Sequence, residues 1–218
     1  EIVEHNNFIG GRYSVLSEVG MLPADLMGLN NRKFRNLNKL VKNKNFINNL
    51  VKNVARTLKL YQSGKYVSVI LNYDEKSDNL FKWYQQLIAE SLGKKSKGIL
   101  PLVSTMPKDN HSLMQFYLDG PKNFFFTIFQ VCEKNSINKK IQNILYSQKL
   151  ATEKVFKKKK IPFRSFEILN RNEETIGTLF SFFILETILL GRALSVNPFD
   201  QPSVELIKNE TVNFLKKN

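Results

Sequence analysis

Apolar residues recur at three- and four-residue steps through positions 20 to 62: Leu37, Leu40 and Val41, then Phe46, Ile47, Leu50, Val51, Val54 and Leu58. That spacing lines them along one side of a helix, so the stretch predicts a helical arm or layer. From Lys65 the pattern changes. Short runs rich in Val, Ile and Phe at 67–71, 98–103, 124–129 and 163–168 read as strands, and segments of helical period at 78–92, 110–119 and 137–160 lie between them. Two further helices are predicted at 173–196 and 202–216. Strands that alternate with helices predict an α/β fold with a mainly parallel sheet covered on both faces. Sheets of this kind bind ligands beyond the carboxyl ends of their strands. There is no Gly-x-Gly-x-x-Gly run and no phosphate-loop lysine motif, so no nucleotide cofactor is expected.

The apolar stretch 176–196 approaches the roughly 20 residues that cross a bilayer. It contains Glu186 and Arg192, and Asn172-Glu173-Glu174 precede it in the manner of a helix start. A buried core helix, with no membrane partner, is the expectation. The 218 residues suffice for one substantial core, with 17 Phe to fill it. A single cysteine, Cys132, rules out an internal disulfide framework and points to a reducing compartment, the cytoplasm. The chain opens on Glu1 rather than Met, and its first motif begins within ten residues, so it reads as a piece of something longer.

Charge alters the picture less than its size suggests. The 33 Lys+Arg against 19 Asp+Glu give +14, a value that raises nucleic-acid binding. The lysines are mostly mixed with asparagines through 30–59 or grouped as Lys157-Lys158-Lys159-Lys160 at a helix end, where cations suit the dipole. No stacking motif or Cys/His finger accompanies them. Solvated lysines, and no nucleic-acid partner, are expected.

Several residues could carry chemistry. Gly10-Gly11 lets the backbone approach a small ligand, and Arg12 adds a permanent charge beside it, an arrangement suited to an anionic intermediate; a turn followed by a solvated arginine is the plain alternative. Gln86 and Glu90 fall one turn apart near the end of helix 78–92, beside Trp83. A half-desolvated carboxylate there suits a general base, and a surface glutamate is the alternative. His111, just past a strand and at a helix start, could shuttle a proton or serve only as a hydrogen-bonded structural residue. His5 is given no role. Gln201, Glu205 and Lys208 share one helix face behind Pro202, either as an anion site at the helix start or as a cap followed by a surface ion pair. No further His, Cys or carboxylate stands at ligand spacing, so no metal is expected.

Four ordered segments carry a resemblance. Asn7-Phe8-Ile9-Gly10-Gly11-Arg12-Tyr13-Ser14, Trp83-Tyr84-Gln85-Gln86-Leu87-Ile88-Ala89-Glu90-Ser91-Leu92-Gly93-Lys94, Asp109-Asn110-His111-Ser112 and Phe199-Asp200-Gln201-Pro202-Ser203-Val204-Glu205-Leu206-Ile207-Lys208 together resemble the glucose-6-phosphate isomerase family in its bacterial form. The resemblance implies a sugar-isomerase-like three-layer sandwich with an N-terminal helical arm and a C-terminal helix. Residues 1–62 would form the signature loop and arm, 63–197 the α/β core and 198–218 the signature helix. The family has two such domains, with its phosphate-binding loop in the first, so this chain is expected to be the C-terminal half without that grip.

Carried over residue by residue, Arg12 would stabilise the enediolate and Glu90 would move the proton between C1 and C2. His111 and Lys208 would assist ring opening, and Gly11, Gln86 and Gln201 would contact the substrate, with no cofactor. Glucose 6-phosphate and fructose 6-phosphate are the implied substrates, and the complete enzyme is expected to be a homodimer whose histidine crosses the interface. A non-catalytic sugar-phosphate-binding module of the same fold is the alternative. Glu18, Ala89 and Ser203 depart from the family pattern, the last two where glycine is usual. An oxyanion-holding Arg12 predicts that Arg12→Lys lowers turnover without changing thermal stability.

Overall fold

All six residues of β1 (Val67–Asn72) are buried, and the sheet extends outward from this strand in both directions. The computed structural model of the chain describes residues 2–133 and 139–216. Among them β1, β2 (Leu100–Thr105), β3 (Phe124–Val131) and β4 (Phe163–Ile168) form one sheet in the order β2-β1-β3-β4, all parallel. Residues alternate across it. Val67, Val69 and Leu71 face one side with Phe126 and Ile128, while Ile70 faces the other with Phe125, Phe129 and Val131.

Helices cover both faces, giving the expected three layers. A 3-10 turn, Gly11–Leu16, leads to α1 (Glu18–Leu26), the one-turn helices α2 (Asn31–Phe34) and α3 (Leu37–Leu40), and α4 (Lys44–Gln62). After β1 and a 3-10 turn at Glu75–Ser77 comes α5 (Asp78–Leu92); α6 (Asp109–Ser112) and α7 (Met114–Asp119) join β2 to β3. α8 (Lys139–Lys158) joins β3 to β4, and α9 (Glu173–Ala193) and α10 (Pro202–Leu215) complete the order. Leu50 of α4, Phe81, Leu87 and Ile88 of α5, and Leu179 and Phe183 of α9 pack on one face of the sheet. Tyr117 of α7 and Phe156 of α8 pack on the other.

Three boundaries differ from the sequence pattern for local reasons. The strand expected from position 98 starts at Leu100, because Gly98 takes φ +134° in a turn so close that a Cβ there would lie 2.8 Å from Gly93 Cα. The helix expected at 110–119 breaks at Leu113, whose backbone leaves helical values. The helix expected at 173–196 stops at Ala193, since Ser195 has φ +56° and turns the chain back. Positions 137 and 138 of the predicted helix 137–160, and the two chain ends at 1 and 217–218, lie outside the described residues.

By length and apolarity α9 could cross a bilayer. In this fold it is a core helix, burying Leu179, Phe182, Phe183 and Leu190. Its buried Glu186 is held by both arms of the Arg164 guanidinium from β4, and Arg164 Nε donates to Thr127 Oγ1 at 3.0 Å. Pairing of this quality is what lets an ionised carboxylate stay inside. Burial pushes the neighbouring Tyr84 hydroxyl up to about 12, so it remains a neutral group beside the pair.

The helical arm is fixed to this core by a backbone contact. At Gly177 of α9 an added Cβ would sit 2.2 Å from the carbonyl oxygen of Phe34 in α2. Gly177→Ala gains helix propensity, up to about 1 kcal/mol, yet the collision with backbone outweighs it. A net destabilisation of roughly 1–3 kcal/mol is expected, read as a lower denaturation midpoint; an unchanged midpoint would mean that α2 is free to move off α9.

Candidate active site

The side chain of Arg12 is almost wholly buried, and each of its five N–H groups has an acceptor. Nε donates to Ser91 Oγ at 2.9 Å. Nη1 donates to Glu90 Oε2 at 3.2 Å and to Gln201 Oε1 at 2.6 Å. Nη2 donates to the carbonyls of Pro198 at 2.9 Å and Asp200 at 3.0 Å. One guanidinium thereby joins the 3-10 turn, the end of α5 and the turn before α10. Its own backbone is held too, because Trp83 Nε1 donates to the Arg12 carbonyl at 2.9 Å. The Tyr13 hydroxyl, raised above its ordinary pKa by burial, donates to Pro198 O and pairs with Ser91 Oγ.

Glu90 stands at the rim of this cluster, partly open to solvent, and Gln86 one turn earlier donates to its Oε1 at 3.0 Å. A carboxylate held between a guanidinium and an amide, with one side open, can accept a proton from a bound molecule. A cavity of about 230 Å³ opens beside it, lined by Ala89, Glu90, Lys94, Gln201 and Ser203 among others. Two of the three departures from the family pattern, Ala89 and Ser203, line this cavity; Glu18 pairs instead with Arg35 at the surface. A Cβ at Gly11 would meet nothing within 4 Å, so no packing inside the chain requires glycine there.

Not every candidate gathers here. Arg12, Glu90, Gln86 and Gln201 form one cluster, with Gly11 next to it. Lys208 does not join it: on α10, which has no buried residue, Lys208 pairs with Glu205 at 2.8 Å, and both are exposed. That is the surface pair named above as the plain alternative. His111 lies elsewhere again. α5 runs back along the sheet, so its end, with Glu90, lies where β2 begins, whereas exposed His111 follows the end of β2. Six strand residues, roughly 20 Å, separate the two.

At the carboxyl edge of the sheet, the expected place for a ligand, charged side chains bond one another. At the crevice between β1 and β3, Asp74 receives Arg171 Nε at 3.0 Å and Nη2 at 2.6 Å, and also Ser77 Oγ. Arg171 Nη1 reaches Glu133, and Asn72 bonds Asp78 at 2.6 Å. The candidate cluster is instead at the edge where the strands start. A cavity of about 730 Å³ between α4, β4 and α9 is lined in part by Arg164, but that guanidinium is committed to Glu186. Sequence reasoning missed Ser91, Tyr13, Lys94 and the carbonyls of Pro198 and Asp200, although the side chains involved and Asp200 lie inside the quoted segments. Nothing in the spacing alone says that they meet.

No protein-family model matches the chain. It is 32% identical to the glucose-6-phosphate isomerase of Mycoplasmopsis pulmonis over 231 aligned positions, which span 96% of this chain and 54% of that protein. The corresponding enzyme of Methanocaldococcus jannaschii is also 32% identical, over 90% of this chain and 54% of its own length, and that of Bacillus cereus 31%, over 96% and 51%. The chain thus spans about half the length of the curated relatives it matches. Among solved structures, a hypothetical protein from Thermus thermophilus superposes with a TM-score of 0.80 at 24% identity, covering 94% of this chain and 55% of the other. A glucose-6-phosphate isomerase from Chlamydia trachomatis superposes at 0.76 and 15%, covering 99% and 49%; both likenesses establish the fold.

The geometry of Arg12 corrects the expectation that its replacement leaves stability untouched. Lysine keeps the charge but offers three donors from one point, so several of the five acceptors lose their partner. Arg12→Lys is therefore expected to destabilise the chain by roughly 1.5–3 kcal/mol, the range for a hydrogen bond to a charged group. Chemical denaturation checks this, and an unaltered midpoint would return Arg12 to a purely ligand-directed role.

Proposed function

This chain is homologous to glucose-6-phosphate isomerases and fits their C-terminal half, and from that premise we propose that it is the acid–base half of an enzyme interconverting glucose 6-phosphate and fructose 6-phosphate. The observation that supports this most is that Arg12 and Gln86 both donate to the open carboxylate of Glu90 while Gln201, 189 positions from Arg12, accepts from the same guanidinium. Aldose–ketose isomerisation needs a base that removes a proton from one carbon and returns it to its neighbour, and a fixed positive charge near the oxygen that turns negative. In this reading Glu90 is the base. Arg12 supplies charge from a position that does not reorganise during the reaction, and Gln86 and Gln201 orient the sugar. Gly11 leaves room at the cluster's margin that its own chain does not use.

Ring opening calls for further groups. His111 lies at the far edge of the sheet from Glu90 of the same chain, which supports an arrangement in which a second copy of the chain presents the imidazole, in a homodimer. Lys208, exposed on α10 and paired with Glu205 away from the cluster, is the other group assigned to this step. Residues 1–62, 63–197 and 198–218 act as arm, α/β core and signature helix, and an upstream sugar-isomerase domain supplies the phosphate grip. The reaction uses no cofactor and belongs to glycolysis and gluconeogenesis in the cytoplasm, where Cys132 stays a thiol.

Three measurements test the proposal. Residues 1–218 alone should convert fructose 6-phosphate with negligible efficiency in a coupled assay, and regain activity with the upstream half, because remote binding of the phosphate normally raises turnover as well as affinity. Glu90→Gln in the full-length protein should lose at least ~10²–10⁴-fold in kcat; near-native isotope exchange at C2 would assign the base to another residue. Gly11→Ala should leave stability within about 0.5 kcal/mol while raising KM. A large loss of stability there would mean that the glycine serves the fold.

A further inference from the structure

The 197–201 turn has no regular structure, yet it carries Gln201 to the cluster and starts α10. Two cations grip it. Arg12 holds its carbonyls at Pro198 and Asp200. Lys94, whose side chain is only 10% exposed, ion-pairs with Asp200 Oδ1 at 2.7 Å and donates to the carbonyl of Asn197. Asn197 Nδ2 closes the loop on Asp200 Oδ2 at 3.0 Å. Lys94 is the second residue past the end of α5, four positions beyond Glu90, so the helix end that presents the carboxylate also presents the cation that fixes the turn.

We propose that Lys94 and Asp200 are a positioning pair: with Arg12 they hold the 197–201 turn and so set Gln201 beside Glu90, on the guanidinium and cavity that the two share. Lys94 lines the cavity beside Glu90, but its ammonium is engaged with Asp200 and Asn197, and it acts through the turn rather than on the reacting carbons. The same contact keeps the Asp200 carboxyl below the usual carboxylate range, through its hydrogen bond from Lys94. Gly191 completes the seat: a Cβ there would stand 3.0 Å from Pro198 Cβ, so the last turns of α9 leave just the space that Pro198 occupies.

The inference rests on the isomerase reading for its kinetic consequence and on geometry alone for its structural one, and the test separates them. In the full-length protein, Lys94→Met and Asp200→Asn should each lower kcat on the order of 10–100-fold, the scale of a misplacement near 1 Å, with a smaller change in KM. Lys94→Arg should restore most of the loss. In a Gln201→Ala background Lys94→Met should cost less than about threefold more, since residues acting through one another are non-additive. Independently, Lys94→Met should speed amide hydrogen exchange in 196–204 and leave β1 unchanged. Full kcat in Lys94→Met, multiplicative losses with Gln201→Ala, or unchanged exchange in 196–204 would each overturn the pair. Faster exchange in a protein whose wild type does not isomerise the sugar phosphates supports the pair and overturns the isomerase reading alone.

Discussion

Taking a guanidinium out of water is tolerable only if every N–H it carries finds an acceptor, and Arg12 meets that condition by collecting acceptors from distant stretches of chain. The demand works in both directions. Ser91, Glu90, Gln201 and the carbonyls of Pro198 and Asp200 are fixed because the cation is buried, and the cation can be buried because they are fixed. The 3-10 turn, the end of α5 and the approach to α10 are consequently one unit, and the cavity beside Glu90 takes its shape from that unit. A site built this way presents its charge without rearrangement, which is the condition under which electrostatic stabilisation contributes most.

The sheet has two edges with opposite fates. At the carboxyl edge, Arg171 pairs with the carboxylates Asp74 and Glu133 in the crevice between β1 and β3, where an open parallel sheet ordinarily receives a ligand. At the amino edge, the Arg12 cluster keeps one carboxylate open. Strand length then separates Glu90 from His111 within a chain, and no side-chain motion spans that distance. Two residue types suited to acid–base chemistry therefore stand on separate surfaces of the chain.

Several charged side chains left open by the sequence have local surroundings with a simple cause. Lys208 and Glu205 are three residues apart on an exposed helix, so they pair with each other. The lysines between 30 and 59 are exposed, as a mixed Lys/Asn helical surface should be. Lys149 is the exception among the basic residues of α8: it is buried and pairs with Glu153 and Glu167, a tertiary contact with β4 that the helical pattern does not announce.

The α/β order, the helix Asp78–Leu92, the strand Phe163–Ile168 and the Gln86–Glu90 pairing were legible in the sequence, because each depends on periods of two or of three to four residues that neighbours along the chain impose by themselves. Gly11, Arg12, Glu90 and Gln201 were also legible as candidates, since they stand in the segments that carry the resemblance. What tertiary structure alone decided is which of them meet. That Arg12 is buried rather than solvated and that Lys94 grips Asp200 depend on the direction in which α5 returns along the sheet and on where the 197–201 turn comes to rest. Those are contacts between residues 78 to 189 positions apart for Arg12 and about 100 for Lys94, and the local preferences of the chain carry no information about them.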